Sequence, residues 1–307
     1  MTGQQETSQA SPPTSPHVQT PFDRFWREFA ESRLALLGLA VLIIVMVIAL
    51  AAPLLAPQNP YDLAQLDVLD GKLAPGEQSM GGKTYLLGTD DQGRDMLSGI
   101  FYGLRISLSV GVMSTLFALG LGLVFGMVAA YFGGWIDTLI MRIVDIQLSF
   151  PSILIALILL AVFSQGVDKV IVALVAVQWA YYARTVRAAA LVERQKEYVE
   201  AAKVLALSKP RIVFRHMLPN CLPPLIVVAT VQVAHAISLE ATLSFLGLGM
   251  PITEPSLGLL ISNGFTYLMS GKYWISFYPG LALLITIVAI NLVADQLRDV
   301  LNPRLKK

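Results

Sequence analysis

Charge is scarce in this chain of 307 residues: 14% are Asp, Glu, Lys or Arg, against about 25% in an average soluble domain. An ordinary soluble globule is therefore excluded. The 22 basic and 21 acidic residues leave a net charge of +1, so there is no basic excess to neutralise a nucleic-acid backbone, and nucleic-acid binding is excluded as well. The single cysteine, Cys221, has no partner for an intramolecular disulfide, and neither a CxxC pair nor a Cys/His cluster of zinc spacing occurs. Of three histidines, His17 and His235 have no partners at catalytic or metal spacing. No nucleophile, base and orienting group can be assembled, so the chain does not read as an enzyme. What it does have is apolar residues, 55% of the total, gathered in long uninterrupted runs.

Residues 34–55 form 22 residues without a charge, about 33 Å of helix, close to the roughly 30 Å hydrocarbon core of a bilayer. A cleaved signal peptide would be shorter and would lack a polar leader of this length, so the run is expected to be an uncleaved span. Further apolar stretches cover 106–132, 148–163, 170–183, 222–239 and 277–294, giving six expected spans. The third and fourth are short, and Arg142, Arg184 and Arg187 lengthen them by snorkelling at the cytoplasmic side. The positive-inside rule tests this count. Bases cluster at Arg24, Arg27 and Arg33, again from Arg184 to Arg215, and finally at Arg298, Arg304, Lys306 and Lys307. Six spans with both termini cytoplasmic place all three clusters inside. They leave outside a segment in which seven acids, from Asp62 to Asp95, outnumber Lys72, Lys83 and Arg94.

The expected organisation is a disordered cytoplasmic tail (1–20), an amphipathic interfacial helix (21–33) with Phe22, Phe25, Trp26 and Phe29 on one face, a first span (34–56) and an extracytoplasmic loop (57–105). A five-span core (106–301) with a cytoplasmic loop at 193–219 follows, and then a cytoplasmic end (302–307). Residues 251–279 read as a short re-entrant or interfacial helix closed by an aromatic belt of Tyr273, Trp274 and Tyr278. The segment Gly76 to Thr84 almost writes a phosphate-binding loop. The required glycine falls at Glu77, however, and no strand precedes it, so it reads as an outer turn.

The cytoplasmic loop is too long for a mere connection. Tyr198, Ala201, Ala202 and Leu205 recur at i, i+3, i+4 and i+7 and are expected to share one face of a short helix, with Lys196, Glu200 and Lys203 on another. Ser208 is expected to cap a second helical turn through Arg211 to Met217, ended by Pro219.

Glu200-Ala201-Ala202 followed by His216-Met217-Leu218-Pro219 resembles the EAA loop of permeases of binding-protein-dependent ABC importers. The stretches Leu87 to Asp95, Tyr102 to Ser107, Ser244 to Gly249 and Asn302 to Leu305 resemble the dipeptide/oligopeptide/nickel permease subfamily, and the arrangement resembles the second, six-span member of a heteromeric pair. The resemblance implies an all-α, type I importer bundle in a bacterial inner membrane, whose coupling helix docks on an ATPase through Tyr198, Glu200, Ala201, Ala202, Leu205, Ala206, Arg215, His216 and Pro219. It implies as partners a second homologous permease, two cytoplasmic ATPase subunits that bind the ATP and Mg, an extracytoplasmic solute-binding protein and membrane lipid, with no cofactor or metal in this chain. The cargo implied is peptide, with nickel, glutathione or another small polar solute as alternatives. A secondary transporter or channel is the reading from another class, and the chain shows no inverted halves to support it.

The family's motif has glycine where Ala206 stands. A side chain is disfavoured in the left-handed conformation that ends helices, so Ala206 is expected to stay helical and to shift the turn to 208–210. Glycines 111, 120, 122, 126, 133 and 134 are expected to allow close packing of the second span. Asp145 and Glu240 are the intramembrane or border acids and hence candidates for the translocation path. The competing readings are an ion pair with Arg142 for Asp145 and a helix cap for Glu240.

Overall fold

A computed structural model describes residues 21–62, 66–79 and 81–301. The tail 1–20 and the segment 302–307, with its Asn302 to Leu305 motif, lie outside the described residues. The described chain is helical, with α1 (Pro21–Ala30), α2 (Arg33–Leu50), α3 (Ala52–Leu55), α4 (Met96–Phe132), α5 (Gly134–Leu148) and α6 (Ser152–Phe163) in its first half. Next come α7 (Val167–Arg194), α8 (Glu197–Val204), α9 (Lys209–Arg211), a π-helical stretch Ile212–Met217, α10 (Leu218–Phe245), α11 (Leu257–Phe265) and α12 (Trp274–Leu301).

Among the described residues, four helices are long and apolar enough to cross a membrane: Arg33–Leu50, Met96–Phe132, Lys209–Phe245 and Trp274–Leu301. The pair α5 and α6 passes only together, bent by 88°, and makes a fifth. Several boundaries differ from those read in the sequence, each for a local reason. The run 34–55 is interrupted at Ala51, because Pro53 begins the separate turn α3. The third apolar stretch does not begin a helix at Leu148. That residue ends α5, and Pro151 disfavours helical geometry at Phe150, which forces the bend. The fourth stretch runs on as the 28-residue α7, about 42 Å long. Its Ala173, Leu174, Val177, Ala180, Ala183, Val186 and Ala190 are buried.

Small residues set the central contact between α4 and α7. A Cβ on Gly122 would lie 2.2 Å from the Tyr182 Cβ, and one on Gly126 would lie 2.5 Å from the Ala183 carbonyl oxygen. In lipid, where apolar side chains gain little by leaving their solvent, such close approach is what holds helices together. Gly111 meets Ile237 of α10 in the same way, whereas Gly120 faces open space and Gly133 ends α4 at φ +65°. Gly122→Val is therefore expected to overpack this seam and to lower stability by about 1–3 kcal/mol or more. Gly120→Ala is expected to be neutral or slightly stabilising. Thermal unfolding of the two variants in detergent checks the contrast.

At one end of the bundle, α11 wedges between α10 and α12, with Gly258 against the Ala241 backbone and Gly264 against Ile275 and Ser276. Trp274 does not join an outward aromatic belt. It is buried, and its indole N–H donates to the Thr89 carbonyl at 3.2 Å. At the other end, α1 lies across α12: Phe29 is buried near Val293, and the Gln296 amide donates to the Glu28 carbonyl.

Candidate functional site

The α8 segment sits at the end of the bundle where α7 stops and α10 begins. Val199 and Ala202 are its buried residues, packed in one cluster with Val186 and Ala190 of α7, Ile212 and Met217 of the π-helical stretch, and Cys221 and Leu225 of α10. The single face expected from Tyr198, Ala201, Ala202 and Leu205 is thus divided. Tyr198 is half-buried, while Ala201 and Leu205 are exposed together with Glu200, Lys203 and Val204. Val204 is 86% and Leu205 72% exposed, so the end of α8 presents an apolar tip beside an acid on the same exposed side.

A polar network fixes α8 from its other side. The Tyr198 hydroxyl donates to Glu193 Oε2 near the end of α7, and Lys196 Nζ donates to Glu193 Oε1 at 2.6 Å. Asn220 Nδ2 donates to the Tyr198 hydroxyl at 3.2 Å and to the His216 carbonyl at 2.8 Å. Burial and the Glu193 carboxylate push the Tyr198 phenol up to about 12, so it remains a protonated donor throughout the physiological range. Neither Glu193 nor Asn220 stood out in the sequence. The Glu193/Tyr198 spacing of five residues falls outside the i, i+4 rule because a turn separates the two helices.

Ala206 departs from the sequence reading. It has φ +52°, and the Ala206 N–H bonds to the Lys203 carbonyl while the Leu207 N–H bonds to that of Ala202. This is the Schellman pattern with alanine in the place usually held by glycine. The paired terminal bonds and the buried Val199/Ala202 face outweigh the strain of a left-handed alanine. Ala206→Gly is accordingly expected to stabilise this turn by about 1 kcal/mol, which slows exchange of the Leu207 amide about fivefold in a hydrogen-exchange measurement.

Pro219 does not end the second helix either. It lies in the first turn of α10, and the chain runs helically from Lys209 to Phe245. The π-helical turn just before it widens the backbone where a proline ring would otherwise meet a carbonyl. Arg215 is exposed and His216 half-buried on this stretch.

Of the two acids, Asp145 pairs with Arg184 of α7 rather than with Arg142. Asp137, one turn into α5 and unremarked in the sequence, makes a bidentate pair with Arg187. These pairs fasten α5 to α7 and account for Arg184 and Arg187, two of the three arginines that were expected to snorkel. Glu240 is fully buried. Its Oε2 accepts from Ser107 of α4 and its Oε1 from Ser244, each at 2.8 Å. In this conformation it joins α4 to α10 and does not face an open path.

The segment before α4 is a compact cap and not a loose loop. Asp90 and Arg94 form a buried ion pair at 2.9 Å with side-chain exposures of 0% and 2%. Backbone N–H groups of Gln92 and Arg94 also donate to Asp90, and Arg94 Nη1 reaches the Ile252 carbonyl. Burial raises the Asp90 pKa, and Arg94 and the two N–H groups pull it back. Asp95 caps α4 by accepting from the N–H and hydroxyl of Ser98. Gly93 is required here: its φ is +77°, and a Cβ would lie 2.0 Å from the Asp67 carbonyl oxygen. The Gly76 to Thr84 stretch is a turn closed by the Ser79 N–H on the Lys83 carbonyl.

Residues 122–307 match the family model described as "Binding-protein-dependent transport system inner membrane component". The chain belongs to that family. Residues 20–75 match the N-terminal transmembrane domain of oligopeptide transport permease C. Among curated relatives, the dipeptide transport system permease protein DppC of Escherichia coli K12 is 41% identical, over 96% of this chain and 97% of its own. The DppC of Haemophilus influenzae is 38% identical over 94% and 97%, and the di/tripeptide transport system permease protein of Pseudomonas aeruginosa is 37% identical over 94% and 93%. Among solved structures, an inward-facing form of the MetNI methionine ABC transporter superposes with a TM-score of 0.55 at 21% identity, covering 67% of this chain and 98% of that one. That likeness shows the fold. As an inner membrane component of this family, the chain is a multi-pass membrane protein, and α8 with its tether lies within the family's matched region.

Proposed function

We propose that this chain is the second permease subunit of an ATP-driven importer that moves peptides delivered by an extracytoplasmic binding protein. The peptide class rests on the dipeptide and di/tripeptide names of relatives that align along nearly the whole chain. One observation carries the mechanical role. A short helix projects an acid and an apolar tip from the end of the bundle while its other side is bonded to both α7 and α10. Such a part turns a push from outside the membrane into movement of two long helices.

In this reading α8 is the coupling helix. Two cytoplasmic ATPase subunits, which hold the ATP and Mg, close on it and on its counterpart in a second homologous permease. The gate alternates because a path open at both ends would dissipate the gradient. Six spans result when α7, long enough to cross, is counted with the bent pair and the four apolar helices. Both termini are then cytoplasmic, α1 rests at the inner membrane surface, and the cap faces outward toward the binding protein. Asp145 and Glu240 hold helices in place. Copurification of ATPase subunits in detergent and vanadate-sensitive dipeptide uptake are the expected results. Uptake abolished by an ionophore and insensitive to vanadate would instead mark a secondary transporter.

A further inference from the structure

Packing alone leaves α8 poorly steered. Its buried contacts are Val199 and Ala202, a small apolar face that seats the helix on the bundle but offers little directional hold. The covalent route from α8 to α10 is also irregular. It passes through the left-handed turn at Ala206 and then through the π-helical stretch Ile212–Met217, both of which depart from the regular α-helical hydrogen-bond ladder.

The Tyr198 hydroxyl bypasses that route. It donates a hydrogen bond to Glu193 of α7 and accepts one from Asn220 of α10, so its donor and an acceptor lone pair engage two different long helices. Asn220 in turn grips the His216 carbonyl inside the π-helical stretch. The acceptor is a carboxylate, 7% exposed, so the part-buried bond from the phenol is charge-assisted and partly screened from competing water.

We propose that the Tyr198 hydroxyl is the joint that makes α7 and α10 move as one when α8 is pushed, which makes Tyr198 a positioning residue for transport. The inference rests on the importer reading above and adds the atom through which force divides between the two helices. A tyrosine kept only for its ring would do as well as phenylalanine, whereas a joint would not.

The test uses the assembled importer, with its second permease and ATPase subunits, reconstituted in vesicles with binding protein and a labelled dipeptide, scoring dipeptide imported per ATP hydrolysed. The wild type is measured first, and absence of ATP-driven uptake there counts against the importer reading itself. Given wild-type uptake, Tyr198→Phe is expected to lower dipeptide imported per ATP hydrolysed at least fivefold. Glu193→Gln on the Tyr198→Phe background is expected to lower that ratio no further, because both changes cut the same joint. An unchanged ratio in Tyr198→Phe would overturn the proposal. So would uptake and hydrolysis falling in parallel, which marks a role in assembly, or additive losses in the double variant.

Discussion

Glu200→Lys is expected to lower ATP-driven uptake at least a hundredfold while the chain is made and inserted at normal levels. Glu200 is exposed, and it forms no part of the Val199/Ala202 face that packs on the bundle. Its loss removes an acid from the first turn of α8, which costs the isolated helix about 0.3–1 kcal/mol, within the range of ordinary surface substitutions. The effect at a docking surface is different in scale. A charge of the wrong sign brought against a partner costs several kcal/mol, and each 1.4 kcal/mol is a factor of about ten. Uptake in vesicles, together with immunodetection of the chain in the membrane fraction, checks the outcome. Undiminished uptake would remove α8 from the mechanism.

Arg94→Ala acts at the opposite end and through stability. It leaves the Asp90 carboxylate buried without its guanidinium, and it frees the Ile252 carbonyl as well. Breaking a buried pair from one side destabilises by about 3–5 kcal/mol, so the detergent melting temperature is expected to drop by several degrees and the cap to become protease-sensitive. Replacing both partners, with Asp90→Leu and Arg94→Met, is expected to recover much of the loss, because no charge is then stranded. Equal melting of the single variant and the wild type would show that the pair contributes nothing to the cap.

Apolar runs made most of the bundle legible in the sequence, because a span must be long and nearly uncharged and both requirements are visible residue by residue. Helix ends were less legible. Pro53 and Pro151 each divide an apolar run, whereas Pro219 is absorbed by a π-helical turn, and the difference lies in backbone context that a proline alone does not announce. The position of α8 followed from its residues, but which of them the bundle buries did not. Val199 is the residue that meets Ile212 and Met217, and those residues come from beyond a turn whose direction depends on Ala206 taking a left-handed conformation.

The partner of Asp145 was misplaced for a related reason. A neighbour at i−3 is visible in the sequence, whereas Arg184 on another helix is not. The cap was the largest omission. Its signal was present in Gly88, Gly93 and the Asp90/Arg94 spacing, but a balance of acids against bases does not show that Asp90 and Arg94 are buried together.

The most direct measurement places a photo-crosslinking residue at Leu205, the exposed tip of α8, and irradiates intact cells containing the whole importer. The expected result is a covalent adduct with an ATPase subunit. An adduct with the external binding protein would put α8 on the wrong side of the membrane and contradict the account.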